Sequence, residues 1–152
     1  MTDECARPRI VAIHIAKASR LPMRSVDQVE VEAGRGLVGD RYHGSRHRHV
    51  TIQATGELAE AERRHGGSID LGRTRRNVTI AAPSVPRTPG HRWRAGPIEL
   101  EVVRDAAPCK LLEDALGRDA RLALSRRAGV ICRVLSSGTL RSGDAVDLGP
   151  LP

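Results

Sequence analysis

The sequence predicts a mainly β (α+β) protein whose strands form a closed or partly closed β-barrel with a few short helices. Three observations lead to this fold. Short runs of alternating apolar residues recur between turn residues, helical patterns are few and mostly late, and 152 residues with 39% hydrophobic content suit one domain. That single domain is expected to span residues 1–152, with the polar segment 1–8 as a flexible tail.

Alternation of apolar and polar residues predicts the strands. The first strand is rich in Ile, Val and Ala, and the second is closed by Gly34. Val130, Cys132 and Val134 are expected to face one side of a later strand. The predicted strands are 9–17, 26–34, 48–54, 75–81, 97–105, 129–138 and 143–149.

Helices are predicted where apolar residues recur every three or four positions, rather than every second position, between capping residues. Thr55 is a candidate N-cap for the first helix, and the pair Gly66 and Gly67 would end it. Loops are predicted where glycine and proline cluster. The predicted helices are 56–65, 110–117 and 118–129, and the predicted loops are 34–47 and 83–96.

The chain is strongly basic, and this limits its partners. Its formal charge is +7, and all but two of its 25 basic residues are arginines, whose planar forks suit phosphate. Trp93 and Tyr42 are the only aromatic residues, which disfavours stacking on nucleic acid bases. No apolar run approaches the length of a membrane span, so a cytoplasmic protein is expected. Self-association as a homodimer would help to stabilise such an aromatic-poor core.

Three cysteines without a secretory signal indicate free thiols in a reducing compartment. Cys109 follows Pro108 at the end of a predicted strand and the start of a predicted helix, where the helix terminus and nearby basic residues favour a thiolate. A thiolate there could be a nucleophile, a sulfur carrier or a soft-metal ligand. The alternative is a half-buried structural thiol. Cys132 is expected to be buried in its strand, and Cys5 to be incidental.

The segment GLVGDRYHGSRHRH at 36–49 contains His43, His47 and His49 among three arginines. A structural zinc would need a cysteine pair or another distant ligand, and the nearest cysteine in sequence is far away. No structural zinc is therefore expected. The segment suits either a solvated arginine-rich loop or one wall of an anion pocket. The RRN triplet at 75–77 suits either a phosphate or pterin-like ring edge, or a pair of surface arginines.

Five stretches together resemble the MOSC domain, a family named for the C-terminal part of molybdenum cofactor sulfurases. Each stretch is weak alone, but their order and spacing match the family over nearly the whole chain. The resemblance implies a β-rich, barrel-like fold. The stretches are GLVGDRYHG at 36–44, VTIQATGEL at 50–58, RRNVTI at 75–80, APCKLL at 107–112 and GVICRVLSSGTLRSGD at 129–144.

The resemblance also implies a cofactor and the residues that would hold it. The cofactor is the molybdenum cofactor, molybdopterin with its metal, and Cys109 of the Pro-Cys element would be the molybdenum ligand or a sulfur carrier. Lys17 and Ser19 match, loosely, a Lys-Ser pair of the reductase branch. The residues that would bind the pterin and its phosphate are Arg41, His43, Arg76, Asn77, Lys17 and Ser19.

Three functions follow from these interpretations, and the sequence does not decide whether the chain is an enzyme. The first is a molybdenum-cofactor-binding domain in a system that reduces N-hydroxylated small molecules, with an electron-donor protein as partner. The second is a sulfur carrier that bears a persulfide on Cys109 and takes sulfur from a donor protein. The third is a non-enzymatic module that binds a phosphorylated or nucleic-acid ligand through its arginine surface.

Overall fold

The computed structural model describes residues 7–150, so Cys5 and most of the predicted tail lie outside it. The helices are α1 (Thr55–His65), α2 (Lys110–Leu116) and α3 (Arg118–Ala123), with a 3₁₀ turn at Leu71–Thr74. The strands are β1 (Ile10–Ile15), β2 (Arg24–Val26), β3 (Gln28–Glu32), β4 (Gly36–Leu37), β5 (Val50–Ala54), β6 (Val78–Ile80), β7 (Arg92–Ala95), β8 (Ile98–Asp105), β9 (Val130–Val134), β10 (Gly138–Arg141) and β11 (Val146–Asp147).

Two sheets form the framework. The larger has eight strands in the order β11-β7-β8-β9-β5-β6-β1-β2 and curls into a half-barrel, and the smaller has the order β10-β3-β4. Neighbouring strands pair antiparallel except β5 and β6, which run parallel because α1 and the 3₁₀ turn lie between them in the chain. The predicted mainly β, barrel-like class is confirmed.

The inner faces of both sheets meet in one aliphatic core. Val130, Cys132 and Val134 of β9 all belong to it, as their alternation predicted. Trp93 is the one aromatic residue in this core within the described part of the chain, and it lies beside Cys132. Branched aliphatic side chains therefore fill the barrel interior, where they pack well on a pleated surface.

A second, smaller apolar cluster lies outside the barrel and holds the helices against it. Leu58 and Ala61 of α1 and Leu112 of α2 contribute to it, and Cys109 packs against its edge. The first helix ends as predicted at Gly66, which has φ 86° and donates its N–H to the carbonyl of Glu62. In residues 7–150 no helix has the length and apolar character needed to cross a bilayer.

Four strands were missed by the sequence prediction, and several others are shorter than predicted. β2 and β4 are only three and two residues long, and β4 lies in a segment assigned to a loop. β7 lies in the proline-rich segment assigned to a loop, although Trp93 and Ala95 alternate inward. β10 was not predicted because its four residues pair only with β3, far away in sequence. The strand predicted at 75–81 begins at Val78, because Arg75 adopts a left-handed conformation with φ 64°.

Gly129 sets the approach of β9 to β5. Its φ is 98°, and a Cβ there would lie 2.2 Å from the carbonyl oxygen of Ile52. Its own carbonyl accepts from the backbone N–H of Ala106, at the end of β8. This close packing fixes the carbonyl of the preceding residue, Ala128, at the base of the candidate site.

Candidate functional site

Asn77 ties the first residues of the site together. It is fully buried, and its Nδ2 donates to the carbonyl of His14 at 3.1 Å and to Oδ1 of Asp40 at 3.2 Å. Its Oδ1 accepts from the backbone N–H of Thr51 at 3.0 Å and from the Thr51 hydroxyl at 3.2 Å. One amide therefore joins β1, β5 and the loop that follows β4.

Asp40 and Arg41 extend the hydrogen-bond network of Asn77 to neighbouring segments. Oδ1 of Asp40 also accepts from the N–H of Ala16 at 3.1 Å, and Oδ2 accepts from the N–H of Tyr42 at 3.2 Å. Arg41 donates from Nη1 to Asp40 at 3.1 Å and from Nη2 to the carbonyl of Arg75 at 3.2 Å. The GLVGDR segment is thus folded onto the residues that precede β6.

Arg76 is held inside the protein by backbone carbonyls. It is 1% exposed, and it donates from Nε to Ala128 at 2.6 Å and from Nη2 to Ala107 at 2.5 Å. Burial and the positive charge of Arg48 lower its pKa to about 10, while Cys109 acts to raise it. The guanidinium therefore remains charged at neutral pH. One of its carbonyl partners, Ala107, lies two residues before Cys109 in the sequence.

Arg75 is a buried cation with unused hydrogen-bonding capacity. It is 9% exposed, and its Nη1 donates to the carbonyl of Leu21 at 2.8 Å. Its Nη2 is buried and has no hydrogen-bond partner within residues 7–150. Burial and the positive charge of Arg41 lower its pKa, and Cys109 acts to raise it. An anion would complete this environment because unpaired buried donors are costly.

Tyr42 lies between two arginines. The guanidinium carbon of Arg41 is 4.6 Å from the ring centroid, and that of Arg48 is 4.4 Å away. Both contacts are cation–π distances. The stacking holds two further positive charges beside Arg75 and Arg76, whose pKa values respond to them.

Cys109 is half-buried at the N-terminus of α2 and lies within electrostatic reach of Arg75 and Arg76. Asp40 acts to raise the pKa of Arg75, whereas Arg41 acts to lower the pKa of both arginines and Arg48 acts to lower that of Arg76. Cys109 therefore lies near two buried, positively charged side chains. We call this set the thiol–arginine cluster: Arg41, Tyr42, Arg48, Arg75, Arg76 and Cys109.

The two described cysteines should differ sharply in reactivity. Cys132 is 0% exposed, and burial raises its pKa to about 12. Cys109 is only half-buried, so its thiol is the more accessible of the two. Pulsed alkylation of a Cys5→Ser protein at neutral pH should label Cys109 first, and Cys132 only after unfolding. Labelling of native Cys132 before Cys109 would refute the assignment.

The three histidines of segment 36–49 diverge. No group of three potential metal-ligating side chains of the His, Cys, Asp or Glu type is found in residues 7–150. That no structural zinc is held here stays a prediction, which chelation and thermal unfolding would test. Their partners are Glu32 for His43, Arg133 for His47, and Ser45 and Val134 for His49.

His49 makes folding depend on pH. Its Nε2 donates to the carbonyl of Ser45, and its Nδ1 accepts from the N–H of Val134, so the neutral ring is the form that fits. Burial lowers its pKa below 6.5. At mildly acidic pH the unfolded chain therefore binds more protons at His49 than the folded chain does. The stabilisation that neutral His49 gives to the fold is complete above pH 6.5, and it declines as the pH falls towards the pKa of the folded state.

His49→Gln should therefore flatten the fall in stability between neutral and mildly acidic pH. The measurement is the urea midpoint of both proteins across that range, and His91→Gln is the matched control. Identical pH slopes for wild type and His49→Gln would contradict the assignment.

The structure separates the residues that the resemblance selected. Arg41, Arg76 and Cys109 belong to the thiol–arginine cluster, whereas the side chain of Asn77 is used inside the protein. His43 pairs with Glu32 at 2.5 Å. Lys17 and Ser19 are exposed in the turn after β1.

Sequence reasoning considered three members of the cluster only as parts of the segments 36–49 and 75–77, and not as individual site residues: Tyr42, Arg48 and Arg75. The signal that could have found Tyr42 and Arg48 is the pattern RYHGSRHR, in which arginines flank a lone tyrosine. Nothing in the sequence distinguishes Arg75 from its neighbour, because its left-handed backbone is unusual for arginine.

The sequence also matches a known family. The profile described as MOSC domain matches residues 39–147, which include the whole thiol–arginine cluster. The chain belongs to the MOSC domain family. This confirms the resemblance drawn from the five motifs, and the family is associated with molybdenum cofactor binding.

Solved structures support the fold of this MOSC domain. The YuaD protein from Bacillus subtilis has 17% identity and a TM-score of 0.75, covering 92% of this chain and 94% of that one. YiiM from Geobacillus stearothermophilus has 18% identity and a TM-score of 0.73, covering 94% and 75%. YiiM from Escherichia coli has 13% identity and a TM-score of 0.67, covering 96% and 71%. No curated protein matches the sequence at a significant level.

Proposed function

We propose that this MOSC domain binds the molybdenum cofactor at the thiol–arginine cluster and takes part in the reduction of N-hydroxylated compounds. The observation that supports the proposal is a half-buried thiol within electrostatic reach of two buried guanidinium groups. Cys109 acts on Arg75 and Arg76, and the arginines stacked on Tyr42, Arg41 and Arg48, add positive charge beside them.

The residues present suit the cofactor's chemistry. The guanidinium of Arg48 stacks on Tyr42, and its buried Nε has no hydrogen-bond partner within residues 7–150, so it is free to donate to a phosphate. Molybdenum is satisfied by soft sulfur ligands, and Cys109 offers one at the same cluster. Bound there, the cofactor would supply a metal able to exchange two electrons with an N–O bond.

The protein's own groups would then neutralise charge and restrict water. Arg76 would stabilise the Cys109 thiolate from inside, since its two hydrogen bonds to Ala128 and Ala107 fix its position. Asn77 would act by holding Asp40, and through it Arg41. Direct contacts of His43, Lys17 and Ser19 with the cofactor are proposed from the family resemblance alone.

Reduction of an N-hydroxyl group consumes two electrons and two protons, breaks the N–O bond, and releases water. An electron-donor protein would have to supply the electrons. The proposal therefore has a small-molecule substrate and a protein partner.

Metal and pterin analysis tests the proposal directly. The protein should be purified from a host that makes the molybdenum cofactor and assayed for molybdenum and for pterin fluorescence after oxidation. Near-stoichiometric amounts of both support it. Absence of both from folded protein refutes it. Arg94→Gln, which removes one exposed arginine elsewhere, is the control for charge, and Arg48→Gln should lower cofactor content.

The same cluster also favours a sulfur carrier as the second candidate. A persulfide is an anion at neutral pH, and the guanidinium groups of Arg75 and Arg76 near Cys109 would stabilise it. Cyanide-labile sulfur in protein that contains no molybdenum would support this function over cofactor binding.

A further inference from the structure

A groove of about 670 Å³ adjoins the thiol–arginine cluster on the side of β1 and β2. It runs between β1, the edge strand β2, the 3₁₀ turn and α2, and Arg75 lines it. Arg75 therefore belongs both to the groove and to the surroundings of Cys109. The polar side chains that line it are His14, Arg20, Ser25, Asp70, Arg73 and Arg75.

His14 lies on the strand side of this groove. It is 9% exposed and stands opposite Ser25 in the β1–β2 register. Its Nδ1 is buried with no hydrogen-bond partner in residues 7–150. Burial lowers its pKa, and the nearby carboxylate of Asp70 acts to raise it. The His14 ring is nearly enclosed and has a nitrogen without a hydrogen-bond partner, so it is suited to contact a ligand.

The charges of the groove are mainly positive. Three arginines line it against the single carboxylate of Asp70. Arg20 and Arg75 both have positive φ, 74° and 64°, and only one other non-glycine residue in the described chain does. The orphaned Nη2 of Arg75 adds an unpaired donor to the same groove. Strained backbone and unpaired buried donors concentrate where ligands bind.

Gly72 leaves the edge of the His14 ring uncovered. A Cβ on Gly72 would lie 3.6 Å from Cδ2 of His14, 3.7 Å from its Nε2 and 3.7 Å from Oδ1 of Asp70, which are ordinary contact distances. An alanine would therefore fit, and it would cover this edge without changing any charge.

We infer that the groove binds the oxyanion, a carboxylate or phosphate, of a small anionic substrate. Arg75 and Arg73 donate to the oxyanion, and His14 donates from Nε2 when its ring is protonated. The identification of this ligand as the substrate rests on the proposed function, because the shared Arg75 places the oxyanion beside Cys109. Anion binding in the groove does not depend on it.

Calorimetric titration with sulfate tests the inference, because sulfate keeps its charge across the working pH range. At a pH low enough to protonate His14, Arg73→Gln, His14→Gln and Gly72→Ala should each weaken sulfate binding, the first two by about tenfold, as expected for loss of a charge-assisted hydrogen bond. Arg94→Gln, on β7, should leave the affinity unchanged. The same weak affinity in wild type, Arg73→Gln and His14→Gln would overturn the inference. Arg73 is exposed, so its variant tests the groove without risk to folding.

Cofactor content distinguishes the source of the oxyanion. Arg73→Gln and His14→Gln should retain as much molybdenum as the wild type. If both lose molybdenum, the groove holds the cofactor's own phosphate and the substrate assignment is overturned. If wild-type protein contains no molybdenum yet binds sulfate with the expected dependence on Arg73 and His14, the anion site is upheld while the proposed function fails.

Discussion

Cys109→Ser is expected to abolish retention of molybdenum and pterin while lowering the free energy of unfolding by no more than about 1 kcal/mol. Serine is nearly isosteric with cysteine, and Cys109 is only half-buried at the edge of the helix cluster. The serine hydroxyl does not ionise near neutral pH, so it can neither ligate molybdenum as a thiolate does nor carry a persulfide. Thermal unfolding should be measured beside molybdenum and labile-sulfur content.

Cys132→Ala is the matched control for this variant. Cys132 is buried in the barrel core, so its truncation should cost about 1 kcal/mol of stability and leave the cofactor content unchanged. If the Cys109→Ser protein keeps its cofactor and activity, Cys109 is structural. Both the cofactor-binding and the sulfur-carrier functions would then be lost as explanations.

Asn77→Ala is expected to have the largest effect on stability, a loss of about 3–5 kcal/mol. The change leaves the N–H of Thr51 and the carbonyl of His14 without their partner inside the protein. It also removes a donor from the buried carboxylate of Asp40. Urea unfolding of the purified variant measures the loss.

Thr139→Ala provides the comparison, because its hydroxyl donates to Glu30 at an exposed position. Its loss should stay within about 0.5 kcal/mol. If Asn77→Ala lowers the free energy of unfolding by less than about 1 kcal/mol, water replaces the lost side-chain amide. The join between β1, β5 and the GLVGDR segment would then need another explanation.

Local patterns were sufficient to predict much of the framework. β8 alternates buried and less buried residues over its first six positions, and α1 ends at a glycine that can adopt positive φ. β7 and β10 were missed because each is four residues long; β7 also lies in a proline-rich segment, and β10 is defined by β3, its partner distant in sequence. Such strands carry too little periodicity to be distinguished from loops.

The site was harder to predict because its geometry depends on long-range contacts. The sequence assigned Arg76 and Cys109 to one cofactor only through the family resemblance. Their proximity depends on the carbonyls of Ala107 and Ala128, which are set by the close approach of β9 to β5. The role of Asn77 was equally hidden, because an amide at a strand start looks the same whether it faces a ligand or three other segments.

The two aromatic residues occupy different parts of the molecule, and this has an optical consequence. Trp93 is enclosed in the barrel core, whereas Tyr42 lies between two guanidinium groups of the thiol–arginine cluster. Tryptophan emission should therefore follow unfolding of the barrel and remain unaffected when anions bind. The ultraviolet absorbance of the tyrosine ring should instead respond when a ligand displaces Arg48 or Arg41 from its faces. The protein carries separate natural chromophores for its fold and for its site.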